Sequence, residues 1–258
     1  MFTAEIQFKI VKKSDDEAAA DGVNRLIESW QRNGQVLSEE WPIAKNRDGI
    51  RVFVSIPERV SLRRNIDNKW VSEARNRLGE ADLSQPTVEI LGREPVSLDP
   101  CRCARPSAYI LFADYLSMEL PLRCADCFDP IPFYRIPHTS GCETYEDIIF
   151  WRRAYQRCDG LQISCFVGER FGTRQMSSFD SELTRMGLEC RAAVEKVTKR
   201  PCYYYLYQYH SRGKAVEDKR KCPSCGRSWR LKEHWHGMFD FRCDRCRLLS
   251  NYAYSLPR

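Results

Sequence analysis

Two Cys-x-x-Cys pairs late in the sequence, Cys222/Cys225 and Cys243/Cys246, stand 17 residues apart. Each such turn aims two sulfurs at one point, and a hairpin between the turns gathers all four sulfurs tetrahedrally around one ion. The spacing is that of a zinc ribbon. Gly226, directly after the first pair, supplies a residue tolerant of positive φ where a tight knuckle needs one. A redox dithiol needs one pair, not two. Four thiolates leave no open coordination position, so this zinc is expected to be structural.

The chain has 13 cysteines among 258 residues, none of them in the first 100. An odd count, and a start (MFTAEIQFKIVKK) without a basic leader and apolar block, argue against a disulfide framework and for a reducing, cytoplasmic setting. Cys101-x-Cys103 and Cys124-x-x-Cys127, 20 residues apart, offer a possible second metal site. Cys-x-Cys is a less usual first pair, and buried small hydrophobes are the alternative. Zinc is thus expected once and is possible twice. Cys142, Cys158, Cys165, Cys190 and Cys202 lack pairing and read as core. The apolar run YILFADYLSMEL, broken by Asp114 and Glu119, falls short of the roughly 18 residues a membrane helix needs.

The formal net charge of +6 is uneven. Residues 1–100 hold 15 Lys+Arg against 17 Asp+Glu, whereas residues 212–258 hold 12 against 5. A zinc ion on four thiolates is a doubly negative unit, so metal moderates the basic tail.

In FTAEIQFKIV, Phe2, Ala4, Ile6, Phe8 and Ile10 alternate with polar residues, which predicts a half-buried strand. Ser14 and Glu17 form a capping-box signature. The helix that follows places Val23, Leu26, Ile27 and Trp30 on one stripe. VLSEEWPIA and IRVFVSI flank a turn at Asp48-Gly49, and Pro42 assigns the first of them to a sheet edge. DNKWVSEARNRL reads as a second helix and PTVEILG as a last strand. The order β-α-β-β-α-β predicts an α+β ferredoxin-like sandwich over residues 1–95. A mixed α/β region is expected over 96–211 and a zinc ribbon over 212–258. In the middle region, a helix is expected from about 145 to 157. A second begins near Asp180, with Leu183, Met186, Cys190, Val194 and Val197 on one face, and PCYYYLYQYH reads as an aromatic strand.

Two further segments bear on function. Arg227, Trp229, Arg230, Lys232, Arg245 and Arg247 interleave cations with an aromatic ring, the combination that meets phosphates and unpaired bases; a charged, solvated face with Trp229 in the core is the alternative. FVGERFGTRQMSSFDS carries Arg170, Arg174 and Gln175 ahead of a helix start, a candidate anion site. It lacks the Gly-Lys-Ser/Thr end of a P-loop, and an ordinary helix connection is the alternative. No Ser-His-Asp order, His-Glu-x-x-His or carboxylate pair stands out. An enzyme built around Arg170–Gln175 is therefore the less favoured class.

CPSCGRSWRL, FDFRCDRCRLLSN, FVGERFGTRQM and YYYLYQY together resemble a little-characterised bacterial family of zinc-ribbon proteins. Nucleic-acid binding has been suggested for that family, and no activity is established. The resemblance runs from the first strand to LLSN. It implies Cys222, Cys225, Cys243 and Cys246 as ligands, draws attention to Arg170–Gln175, and supplies no catalytic residues. The first expectation is a non-catalytic protein that binds RNA or DNA through the ribbon. The alternative is a protein-binding module, such as an immunity protein or inhibitor that neutralises a toxin, whose acidic first 100 residues suit a basic partner.

Overall fold

A computed structural model of the protein describes residues 1–11, 15–47 and 49–255. Ser14 of the expected capping box and Asp48 of the expected turn lie outside the described residues. The chain divides into two compact units, one of residues 1–100, 118–120 and 130–146, the other of 101–117, 121–129 and 147–258.

The first unit opens with β1 (Phe2–Phe8), α1 (Asp16–Arg32), β2 (Ile43–Asn46), β3 (Gly49–Ile56), α2 (Lys69–Asn76) and β4 (Thr87–Arg93). Its sheet runs β2-β3-β1-β4, and every neighbouring pair is antiparallel. Ala4, Ile6 and Phe8 are buried against Val23, Leu26, Ile27 and Trp30 of α1. Burying each large apolar side chain there contributes roughly 1.5–3 kcal/mol. Asp15 caps α1 by accepting from the Glu17 amide. Asn68 caps α2 by accepting from the Val71 amide. The expected strand VLSEEWPIA forms only from Ile43 onward, because Pro42 has no N–H to give a ladder. Before it, Leu37 is tied to the Ser55 carbonyl by a single 2.8 Å bond.

The second unit holds β5 (Tyr109–Leu111), β6 (Leu122–Cys124), α3 (Glu146–Ser164), α4 (Glu169–Ser177), α5 (Glu182–Thr198), β7 (Cys202–Tyr205), α6 (Lys214–Asp218), β8 (Arg230–Trp235), β9 (Phe239–Cys243) and β10 (Leu248–Ser250). Its six-stranded sheet runs β6-β5-β7-β10-β9-β8 and takes strands from both sides of residue 212. β7 pairs in parallel with both β5 and β10. Parallel strands are covered on both faces, and all four β7 residues are buried. Tyr203 and Tyr205 face a core shared with Phe112, Phe239 and Leu249. Tyr204 faces α5, where Gly187 leaves room for its ring. The buried stripe of α5 is Leu183, Gly187, Cys190 and Val194, and Met186, expected on it, is exposed. Among the five unpaired cysteines, Cys190 and Cys202 are buried, Cys158 is half-buried, and Cys142 and Cys165 are exposed.

The segment expected to link two helices is itself helical: α4 spans Glu169–Ser177. Gly172 does not punctuate a loop there. It lies where α4 meets α3, and a Cβ at that position would come 2.2 Å from the Cys158 carbonyl oxygen.

Candidate metal centres and ribbon surface

Cys222, Cys225, Cys243 and Cys246 bring their sulfurs within 4.8 Å of one another, and so do Cys101, Cys103, Cys124 and Cys127. The local backbone explains the convergence. Cys222 accepts from the Gly226 amide at 2.9 Å and donates to the Arg227 carbonyl at 2.9 Å, with Gly226 at φ 69°. The turn at Cys124 repeats this pattern: its carbonyl accepts from the Phe128 amide at 2.9 Å, and its amide donates to Asp129 at 3.0 Å. Phe128 then sits at φ 66°, and Arg247, after the third Cys-x-x-Cys, at φ 55°. Three knuckles therefore share one backbone form, each closed by a left-handed residue.

Both groups fit a metal ion. Cys225 and Cys243 sulfurs lie 3.7 Å apart, and Cys101 and Cys127 sulfurs 3.5 Å apart. A disulfide needs about 2.05 Å, whereas zinc–sulfur bonds of about 2.3 Å place tetrahedral sulfurs about 3.8 Å apart. None of the 13 cysteines forms a disulfide. The two groups could each hold a metal ion, and all-thiolate donors are consistent with zinc.

Burial pushes the Cys222 thiol up to about 12 and the Cys124 thiol up to about 11, and raises Cys243 and Cys127 as well. The backbone bond from Arg227 pulls Cys225 down to about 7. Without a cation the raised thiols keep their protons at neutral pH; metal binding must expel them, so affinity falls as pH falls. Cys222 and Cys243 should each release one proton at pH 7 on loading the ribbon group. Calorimetry in buffers of different ionisation enthalpy should therefore find at least two protons released per ion, and a value near zero would contradict the protonated starting state.

The ribbon cations fall into two sets. Arg230 pairs with Asp218, and Arg247 with Glu195 at 3.5 Å. Arg242 pairs with Asp244 and lies over Tyr203 and Trp235, its guanidinium 4.9 and 4.4 Å from the ring centroids. Arg220, held by Glu217 at 3.0 Å, lies over Trp229 and Phe241. Neither Arg220 nor Arg242 has a sequence signal separating it from a surface cation. Arg227, Lys232 and Arg245 are exposed and carry no ion pair among the described residues. Trp229 is only 3% exposed, and its indole donates to the Arg220 carbonyl. It packs against Phe241 and offers no ring face for a base, so the expectation that it stacks on one is corrected.

The candidate anion site is not assembled as expected. α5 begins at Glu182, its Thr184 amide bonds Ser181, and its Leu183 amide bonds the Gln175 side chain at 3.1 Å. The helix amides that would meet an anion are already used, and Gln175 is one of the groups using them. Arg170 and Arg174 project from α4 as exposed side chains.

No helix among the described residues is long and apolar enough to cross a membrane. Three family models match the chain, each described as a domain of unknown function: DUF8589 over residues 1–92, DUF2310 over 103–207 and DUF8594 over 211–256. The last span contains all four ribbon cysteines, and the middle one contains Cys103, Cys124 and Cys127. A solved Deinococcus radiodurans protein provisionally described as an antibiotic biosynthesis monooxygenase matches 37% of this chain and 95% of its own, at 11% identity and a TM-score of 0.27. A Haemophilus influenzae protein described as uncharacterized is 35% identical over 154 residues, 58% of this chain and 73% of its own. Another, described in the same way, is 30% identical over 264 residues, 99% of this chain and 99% of its own. Three successive domains of unknown function match this chain, and similarity across both full lengths places it in one bacterial family with that second Haemophilus influenzae protein.

Proposed function

We propose that the protein is a non-catalytic, cytoplasmic binding module that holds two structural zinc ions and contacts nucleic acid through its C-terminal ribbon. The first unit is read as a ferredoxin-like sandwich, on the strand order β2-β3-β1-β4 with antiparallel neighbours. Zinc is favoured by the two all-cysteine groups, whose donors leave no open position for catalysis. Thirteen cysteines with no disulfide among the described residues suit a reducing compartment.

The observation that carries the nucleic-acid reading is the set of exposed ribbon cations without an ion pair among the described residues: Arg227, Lys232 and Arg245. Arg227 and Arg245 lie on the two ribbon knuckles, so the metal fixes where their charges stand. Phosphate contacts of this kind position a protein without reading sequence. Three contacts predict a log–log salt slope between about −2 and −2.7. Arg227→Ala with Arg245→Ala should reduce it to about −0.7 to −0.9 while leaving zinc content unchanged. Fluorescence-anisotropy titrations of labelled RNA and DNA at several salt concentrations measure both. Binding weaker than about 100 μM at physiological salt, no better than generic association, removes this reading.

A protein partner, such as a basic toxin, is the second reading. It is favoured by Phe166 and Val167, 91% and 75% exposed at the bend between α3 and α4. Contiguous exposed apolar surface is what a protein partner would cover.

A further inference from the structure

The hairpin that delivers Cys243 to the ribbon group ends against the knuckle of the other group. Between β8 and β9, His236 adopts φ 52°. A side chain is sterically disfavoured in that left-handed region. Two contacts offset the cost. His236 Nε2 lies 2.8 Å from the Ala125 carbonyl oxygen, and its ring stacks on Phe128 with centroids 5.1 Å apart. Because its partner is a carbonyl, Nε2 is the donor and carries the proton. Ala125 sits between Cys124 and Cys127, and Phe128 follows Cys127 directly.

Two of the three knuckles close on a residue with a side chain, Phe128 and Arg247. The ribbon's first knuckle closes on Gly226, which reaches positive φ without strain. A phenylalanine in the same place is the strained choice, and its ring shows what compensates. It meets Phe239 edge-on at 5.5 Å and Phe112 edge-on at 5.3 Å. Phe239 opens β9, and β9 ends on Cys243. The residue that closes the Cys124 knuckle thus shares an aromatic cluster with the strand that delivers a ligand to the other group.

We infer that the two metal centres are thermodynamically coupled through Phe128, His236 and Phe239, so that filling either raises the affinity of the other. The inference rests on the reading that each cysteine group holds one zinc. Metal holds the 124–128 turn in its knuckle form. Without it, Phe128 is free to leave the left-handed region, and its ring withdraws from the cluster. His236 then loses its stacking partner and its acceptor together. The hairpin loosens, and the second ion must order Cys243 anew before it binds. Linkage makes the effect reciprocal.

Native mass spectrometry of the full chain, during stepwise zinc removal with a chelator, tests this. For two independent sites, equal or unequal, the one-zinc species makes up at least half of the population when the mean load is one ion. Between sites of equal intrinsic affinity, coupling of about tenfold, within the usual range for linked sites, lowers that share to about a quarter. The unmodified chain should fall well below half. His236→Gly keeps the left-handed turn, deletes the stack and the hydrogen bond, and should return the share to half or more. If the unmodified chain loads two zinc, shows half or more of the one-zinc species, and His236→Gly does not raise that share further, the coupling is overturned and the two-zinc reading stands. A saturated load below two overturns both. A share that stays below half in His236→Gly overturns the assigned route.

Discussion

Cys243→Ser should lose at least one zinc per chain and lower the melting temperature of the second unit by about 10–20 °C. Cys243 is buried, ends β9, and pairs with Leu248 of β10 in the register of the sheet. Structural zinc contributes roughly 10–16 kcal/mol of apparent folding energy to small modules that have almost no other core. The strands here also bury Phe239, Phe241, Leu248 and Leu249, so part of their order survives without metal. A net loss of about 4–6 kcal/mol remains, and in a domain of this size each kcal/mol moves the midpoint by about 2–4 °C. Metal analysis together with a thermal melt decides it. Full zinc content in the variant, or an unchanged midpoint, would remove Cys243 from the ligand set.

The second large effect has a sign that helix propensity alone gets wrong. Replacing glycine by alanine inside a helix ordinarily stabilises by up to about 1 kcal/mol. Gly187→Ala should instead destabilise by about 3 kcal/mol, at the upper end of overpacking in a close-packed core. A Cβ at residue 187 would lie 2.1 Å from the Tyr204 ring and 2.7 Å from the Trp151 indole nitrogen. Both rings are fully buried, so neither has anywhere to move. Denaturant unfolding of the full chain measures it, and a stabilised Gly187→Ala protein would show that α5 does not press on β7 as described.

What could be read from the sequence was what local periodicity encodes. The alternation in β1 and the stripe Val23, Leu26, Ile27 and Trp30 appear as buried faces because each needs only its own period to be recognised. The ribbon cysteines were legible for a similar reason, since the knuckle is a property of five consecutive residues. The Cys101–Cys127 group was left open, because its convergence depends on the β5–β6 pairing that brings Tyr109 opposite Cys124. The helix α4 was missed where Gly168 and Gly172 read as punctuation; a glycine that permits a helix crossing and one that breaks a helix look alike in one dimension. Trp229 was ambiguous until its neighbours were known, and Arg220 and Phe241 settle it. The contact of His236 with Ala125 joins residues 111 positions apart, a separation at which no local pattern carries a signal.

The parallel pairing of β7 with β10 has a consequence for synthesis. β7 is complete at Tyr205, but its second neighbour is supplied only by Leu248–Ser250. At ribosomal rates of about 5–20 residues per second, the roughly 45 residues between them take about 2–9 s to appear. Throughout that interval the centre of the future sheet is an edge, presenting the unpaired backbone of a Cys-Tyr-Tyr-Tyr strand to any other chain that can add to it. A released chain truncated between residues 206 and 247 keeps that edge indefinitely. Its fate is then set by how quickly it meets a chaperone or another copy of itself, even before the ribbon cysteines are in place to bind an ion.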